Sequence, residues 1–169
     1  MPHLAYIGLG TNLCKNTLGG TRQQQLTDNL NKAVNTLQEH VGTLLKCSSF
    51  INTQPWGFES DNDFLNGVAL FETRLTPMQL LKATQQAELQ MGRTTKSHNN
   101  HYHDRIIDLD ILFYDNMVVN TPQLTIPHPQ IEQRDFVLIP LEEIAPHLIH
   151  PTLHKTIQQL LYNLQGQQP

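Results

Sequence analysis

The stretch Ile106-Ile107-Asp108-Leu109-Asp110-Ile111-Leu112-Phe113-Tyr114 constrains this chain more than any other. An apolar run of that length reads as a buried strand, and its only charged residues are two aspartates spaced two apart. Side chains two apart on a strand share a face, with Cα atoms roughly 6.5–7 Å from one another. Leu109 then points the other way, into the core. Two carboxylates in apolar surroundings are costly unless a cation lies between them. Magnesium suits such a pair, because it takes hard oxygen ligands and bridges a few carboxylates to substrate phosphates. A bare Asp-x-Asp is common, so the alternative is a strand whose aspartates face solvent or pair with Arg105.

The rest of the chain supplies partners for that strand. Residues 4–9 read as a short buried strand closed by Gly10. Gly8-Leu9-Gly10 lacks both the Rossmann spacing and the Walker lysine of a phosphate loop, so it reads as a tight strand exit. Leu26, Leu30, Ala33, Val34 and Leu37 recur at helical spacing and predict a helix ending near Gly42. Residues 44–51 and 64–73 read as strands around a Pro- and Gly-containing loop. Thr76 caps a second helix with Pro77 at its first position, and that helix stops at Gly92. Beyond the acidic strand, the patterning predicts a turn at Asp115-Asn116 and a short strand at 117–119. It predicts irregular chain over 122–134, a strand at 136–139 and a closing helix at 154–164. The order strand, helix, strand, strand, helix, strand predicts an α+β fold. It is a ferredoxin-like sandwich, with helices packed on one side of an antiparallel sheet in a single domain over 1–169.

A chain of 169 residues supports a core without disulfides or structural metal. Cys14 and Cys47 have no zinc-like spacing, and His98, His101 and His103 lie in a polar loop without a cysteine, which argues against zinc. The net charge of −4 and the absence of an aromatic RNP-type strand count against a nucleic-acid-binding module. No apolar run approaches a membrane span, and no signal sequence opens the chain. The expectation is a cytoplasmic monomer that works on small molecules. Arg93, Lys96, Arg105 and Arg134 offer positive charge for phosphate oxygens, although each alone also fits ordinary surface charge. Trp56, Phe58, Phe64 and Phe136 offer ring faces for a flat heterocycle, although each alone also fits core packing.

Several stretches carry a family resemblance. They include residues 5–13 (AYIGLGTNL), Ser48-Ser49-Phe50 with residues 53–57, and Phe64-Leu65-Asn66. They continue with residues 88–93, 105–111 (RIIDLDI), Ile126-Pro127-His128-Pro129 and 134–141 (RDFVLIPL). In order and spacing the chain resembles the 6-hydroxymethyl-7,8-dihydropterin pyrophosphokinases of folate biosynthesis, up to about Pro151. The resemblance implies transfer of diphosphate from ATP to the hydroxymethyl oxygen of the pterin, with AMP released. It implies two magnesium ions held by Asp108 and Asp110, with Arg93 and Arg105 as further catalytic groups. It implies ATP contacts from Gln85, Glu88, Arg93, Ile111, Thr125, His128 and Arg134. The pterin is expected to lie between Phe64 and Phe136, with Asn66, Thr53, Pro55 and Trp56 at its polar edge.

The chain departs from the family pattern where phosphate is gripped. His103-Asp104-Arg105 stands for the usual Gly-Pro-Arg, Thr95 for a second arginine, Tyr102 for a loop tryptophan, and Pro129 for an aromatic residue. A catalytically weak paralogue that binds pterin or nucleotide is the alternative reading. The polar segment 93–104 has little apolar anchorage, so it is expected to be open without ligands and to close over bound phosphates.

Overall fold

The computed structural model describes residues 1–13, 20–54, 63–92 and 106–167. Its frame is a five-stranded antiparallel sheet of β1 (His3–Thr11), β2 (Gly42–Cys47), β3 (Ile51–Thr53), β4 (Phe64–Thr73) and β5 (Asp108–Tyr114). The order is β2-β4-β1-β5, with β3 extending the β2 edge against β4. Taking β2 and β3 as one broken edge strand, this is the expected ferredoxin-like order.

One face of the sheet is covered by α1 (Arg22–His40) and α2 (Pro77–Gln90). Both begin with a reciprocal capping box, Thr21 with Gln24 and Thr76 with Gln79, which satisfies amides the first turn leaves open. Leu26, Leu30, Ala33 and Leu37 of α1 and Leu80 and Ala87 of α2 pack on Ala5, Ile7, Leu9, Leu65 and Leu109. The opposite face is not bare, as one-sided packing requires. There α3 (Asp135–Ile144) and α4 (Ile157–Gly166) build a second core on Tyr6, Val68, Leu70, Leu112 and Phe113. A register shift makes Ile111 oppose Ile7 while Phe113 opposes Tyr6, so Leu112 and Phe113 both reach this second core.

Three local expectations are corrected. Residues 136–139, read as a strand, form the first half of α3. A continuous apolar run does not distinguish strand from helix, and Val137, Leu138 and Leu141 are buried together only when the segment is helical. Residues 44–51 are two strands, because Ser48 leaves the ladder: its Oγ accepts the Val68 amide and its own amide donates to Val68 O. The segment 122–134 contains β7 (Thr125–Ile126), paired with β6 (Val119–Asn120), and a short 3-10 turn at Ile131–Gln133.

Candidate active site

Across the middle of the sheet, β4, β1 and β5 align in two rows. Asn66 opposes Gly10, which opposes Asp108; Val68 opposes Gly8, which opposes Asp110. Alternation along each strand puts Asn66, Gly8, Gly10, Asp108 and Asp110 on the face of α3 and α4, whereas Leu9 and Leu109 enter the core below α1 and α2. A cavity opens over these rows.

The floor of the cavity is glycine backbone. A Cβ on Gly10 would lie 3.0 Å from Asn66 Oδ1 and 3.8 Å from the Phe64 ring, and one on Gly8 would meet Leu112 at 3.4 Å. A side chain at Gly10 would crowd the Asn66 amide and the Phe64 ring, and one at Gly8 would press on Leu112, in a cavity that both glycines line. Gly8 and Gly10 are therefore site residues, not a strand exit; β1 continues to Thr11. Two glycines spaced two apart inside an apolar strand were the available signal.

Aromatic rings form the walls. Phe64 opens β4, and Phe136 lies in the first turn of α3, with Val137 beside it. The Asn66 amide, 6% exposed, donates through Nδ2 to Thr53 Oγ1 on β3, which orients the amide. Arg134 precedes α3 and is 5% exposed; its Nη2 donates to Gln130 Oε1, and its guanidinium sits 5.6 Å from the Phe136 ring centre. That distance allows a cation–π contact and brings positive charge to the cavity wall.

The acidic pair is braced from outside the cavity. Thr11 Oγ1 donates to Ile106 O just before β5, while Asn29 Nδ2 of α1 donates to Thr11 Oγ1 at 3.1 Å and to Leu13 O at 3.0 Å. On the outer edge of β5, Glu88 Oε2 accepts the Leu109 amide at 3.0 Å, and the His128 amide donates to Leu112 O at 3.0 Å.

Of the residues expected at the site, the cavity thus gathers Thr53, Phe64, Asn66, Asp108, Asp110, Arg134 and Phe136. Gln85 is exposed on α2, Ile111 is buried in the first core, and Thr125 and His128 line a second cavity with Glu132 and His150. Glu88 is buried, and the bond to Leu109 occupies one of its oxygens. Pro55, Trp56, Phe58, Arg93 and Arg105 lie outside the described residues. So do the departures at Thr95, Tyr102 and 103–105, Lys96, the histidines 98, 101 and 103, and the expected closing segment. Among the described residues no group of three or more histidines, cysteines or carboxylates is placed to hold a metal. No helix of the described residues is long and apolar enough to cross a membrane.

A ferredoxin-like α+β sandwich with an acidic pair, an amide and two aromatic rings around one glycine-floored cavity makes a site suited to a flat, polar small molecule beside a cation. Comparison with known proteins narrows the class. The family model "7,8-dihydro-6-hydroxymethylpterin-pyrophosphokinase (HPPK)" matches residues 6–146, and the chain belongs to this family. It is 45% identical over 149 residues to the 2-amino-4-hydroxy-6-hydroxymethyldihydropteridine pyrophosphokinase of Porphyromonas gingivalis, covering 88% of this chain and 94% of the relative. It is 36% identical over 154 residues to the enzyme of the same name from Aquifex aeolicus, covering 91% and 88%. Its fold is similar to that of the wild-type HPPK-DHPS of Plasmodium falciparum, with a TM-score of 0.75 at 16% identity, over 96% of this chain and 45% of that one.

Proposed function

We propose that this protein transfers the terminal diphosphate of ATP to the hydroxymethyl oxygen of 6-hydroxymethyl-7,8-dihydropterin, giving AMP and the pterin diphosphate. One observation carries the reading: a single cavity is lined by the Phe64 and Phe136 rings, the Asn66 amide and the acidic pair, over glycine backbone. Phe64 and Phe136 stack on the heterocycle, and Asn66 bonds its polar edge. The hydroxymethyl arm then reaches over Gly10 toward Asp108 and Asp110.

The donor set fits magnesium. Two carboxylates on one face, with glycines beside them in both rows, leave room for the waters and phosphate oxygens that complete its shell. Bound there, two ions supply charge neutralisation for the polyphosphate. Arg134 holds phosphate oxygens from the cavity wall, and Arg93 and Arg105 add to that grip. The nucleotide lies along the outer edge of β5, toward Thr125 and His128. The hydroxymethyl oxygen forms its bond to the β-phosphorus as the bond from that phosphorus to the α-phosphate oxygen breaks. AMP departs with that oxygen, and the hydroxyl proton passes to Asp110 or to water. Positioning and electrostatics carry most of such a transfer.

We infer further that it acts on its small-molecule substrates as a monomer in the cytoplasm. The deciding experiment is an assay of AMP formation from ATP, the hydroxymethyl-dihydropterin and magnesium. AMP and pterin diphosphate are expected in equal amounts. Pterin binding without AMP formation would favour the alternative, a catalytically weak paralogue that binds pterin or nucleotide.

A further inference from the structure

We propose that Glu88 is a positioning residue for the acidic pair. By holding the Leu109 amide, its buried carboxylate sets how Asp108 and Asp110 are presented to the cavity. The inference rests on the reading of those aspartates as the metal-binding pair.

Among the described residues strand β5 is the last of the sheet, with one edge hydrogen-bonded to a neighbouring strand, β1. In an antiparallel ladder, amides alternate between facing the neighbouring strand and facing away. The Leu109 amide bonds Glu88, so it is one that faces away from β1. Leu109 is 1% exposed, so water does not serve its amide, and an unserved buried amide is costly. Glu88 is 3% exposed and projects from α2, a helix pinned to the sheet by Leu80 and Ala87. Its Oε2 lies 3.0 Å from the Leu109 nitrogen. The peptide plane it grips joins Asp108 to Leu109, and Asp110 follows one residue later. Peptide planes are rigid, so tilting this one turns both carboxylates relative to each other. A charge-assisted bond from a packed helix is a strong way to prevent that tilt. The bond from Thr11 to Ile106 O holds the approach to β5, and the bond from the His128 amide to Leu112 O holds its later part, whereas the Glu88 bond falls between the aspartates. The family resemblance gives Glu88 a contact to ATP; its burial and its bond to Leu109 point to action through the strand.

The test uses the full chain with Glu88→Gln, which keeps an acceptor, and Glu88→Ala, which does not. Circular dichroism checks folding. Should Glu88→Ala unfold, Glu88→Leu fills the space without an acceptor and serves the same comparison. Amide exchange at Leu109 reads the bond itself. Manganese titration followed by electron paramagnetic resonance, with a non-hydrolysable ATP analogue, reads the metal site without turnover. Glu88→Ala should speed Leu109 exchange and weaken manganese binding by about 10-fold or more, as losses of groups that orient metal ligands do. Glu88→Gln should restore both, and pterin binding without nucleotide should stay unchanged in all variants. Manganese affinity lost in Asp108→Ala but unchanged in Glu88→Ala overturns the positioning role. A metal-independent loss of analogue affinity in Glu88→Ala also overturns it, in favour of direct nucleotide contact. Affinity unchanged in both Asp108→Ala and Glu88→Ala overturns the metal reading and this inference together.

Discussion

Asp108 and Asp110 share one face of a braced strand, and a chain carrying Asp108→Ala or Asp110→Ala should keep its circular dichroism spectrum while turnover nearly vanishes. Near-normal turnover in either would exclude the mechanism. Phe64 and Phe136 line the same cavity as the acidic pair. Truncating either to Ala should cost about 1 kcal/mol or more of pterin affinity by calorimetry, with ATP affinity hardly moved. His150 gives a different residue-scale prediction. It is 4% exposed, and its Nδ1 accepts the amides of Thr152 and Leu153 at 3.3 and 3.1 Å. Burial pushes its pKa below the ordinary 6.5, with Glu132 opposing and His154 adding to the shift. The unfolded chain therefore takes up the proton more readily, so this contribution is complete above pH 6.5 and is lost as pH falls below it. The melting temperature should decline below that pH, and His150→Asn, whose amide oxygen offers the same acceptor, should flatten the decline. The Asp-Leu-Asp spacing is legible in sequence because a period of two has one meaning on a strand. Gly8 and Gly10 are not, because glycine also punctuates, and only the register shows what lies beside them.

Elements were legible where local chemistry agrees with tertiary need. Thr76-Pro77 and its capping partner announce α2, and Gly92, in a left-handed conformation at φ 95°, follows its end. The helix α3 is illegible for the opposite reason. Pro140 lies within it and offers no amide to the carbonyl four residues back, so only docking on the second core favours the helix. Part of that docking is a clasp: Glu143 accepts the Ser49 amide through both oxygens, at 2.9 and 3.1 Å, and the Ser49 hydroxyl at 2.9 Å. Glu143 is exposed, so Glu143→Ala should cost only about 1 kcal/mol in denaturant titration. It should also weaken pterin binding, since α3 carries Phe136. Unchanged pterin affinity would show that the first turn of α3 is held independently of its last.

The described residues form a five-stranded sheet between two helical layers, with the β6–β7 pair beside it, and the second layer extends past the family match. The match ends at residue 146, yet Ile157, Leu160 and Leu161 of α4 complete the core beneath α3. Leu161→Ala should destabilise the fold by about 2–5 kcal/mol, seen as a lower unfolding midpoint, although α4 lines no wall of the main cavity. Amphipathic patterning reveals that a closing helix exists, but not which face of a sheet it covers; that depends on contacts far along the chain. The rows across the sheet carry one more consequence. Neighbouring strands stand roughly 4.8 Å apart, so Asn66 and Asp108, with β1 between them, hang from backbones about 9.6 Å apart. The ladder is thus a gauge of length. In the proposed pose it measures a two-ring heterocycle plus a one-carbon arm, and a longer arm overshoots the acidic pair. Side-chain replacement can change what is gripped at either end, but the interval between the ends belongs to the backbone repeat.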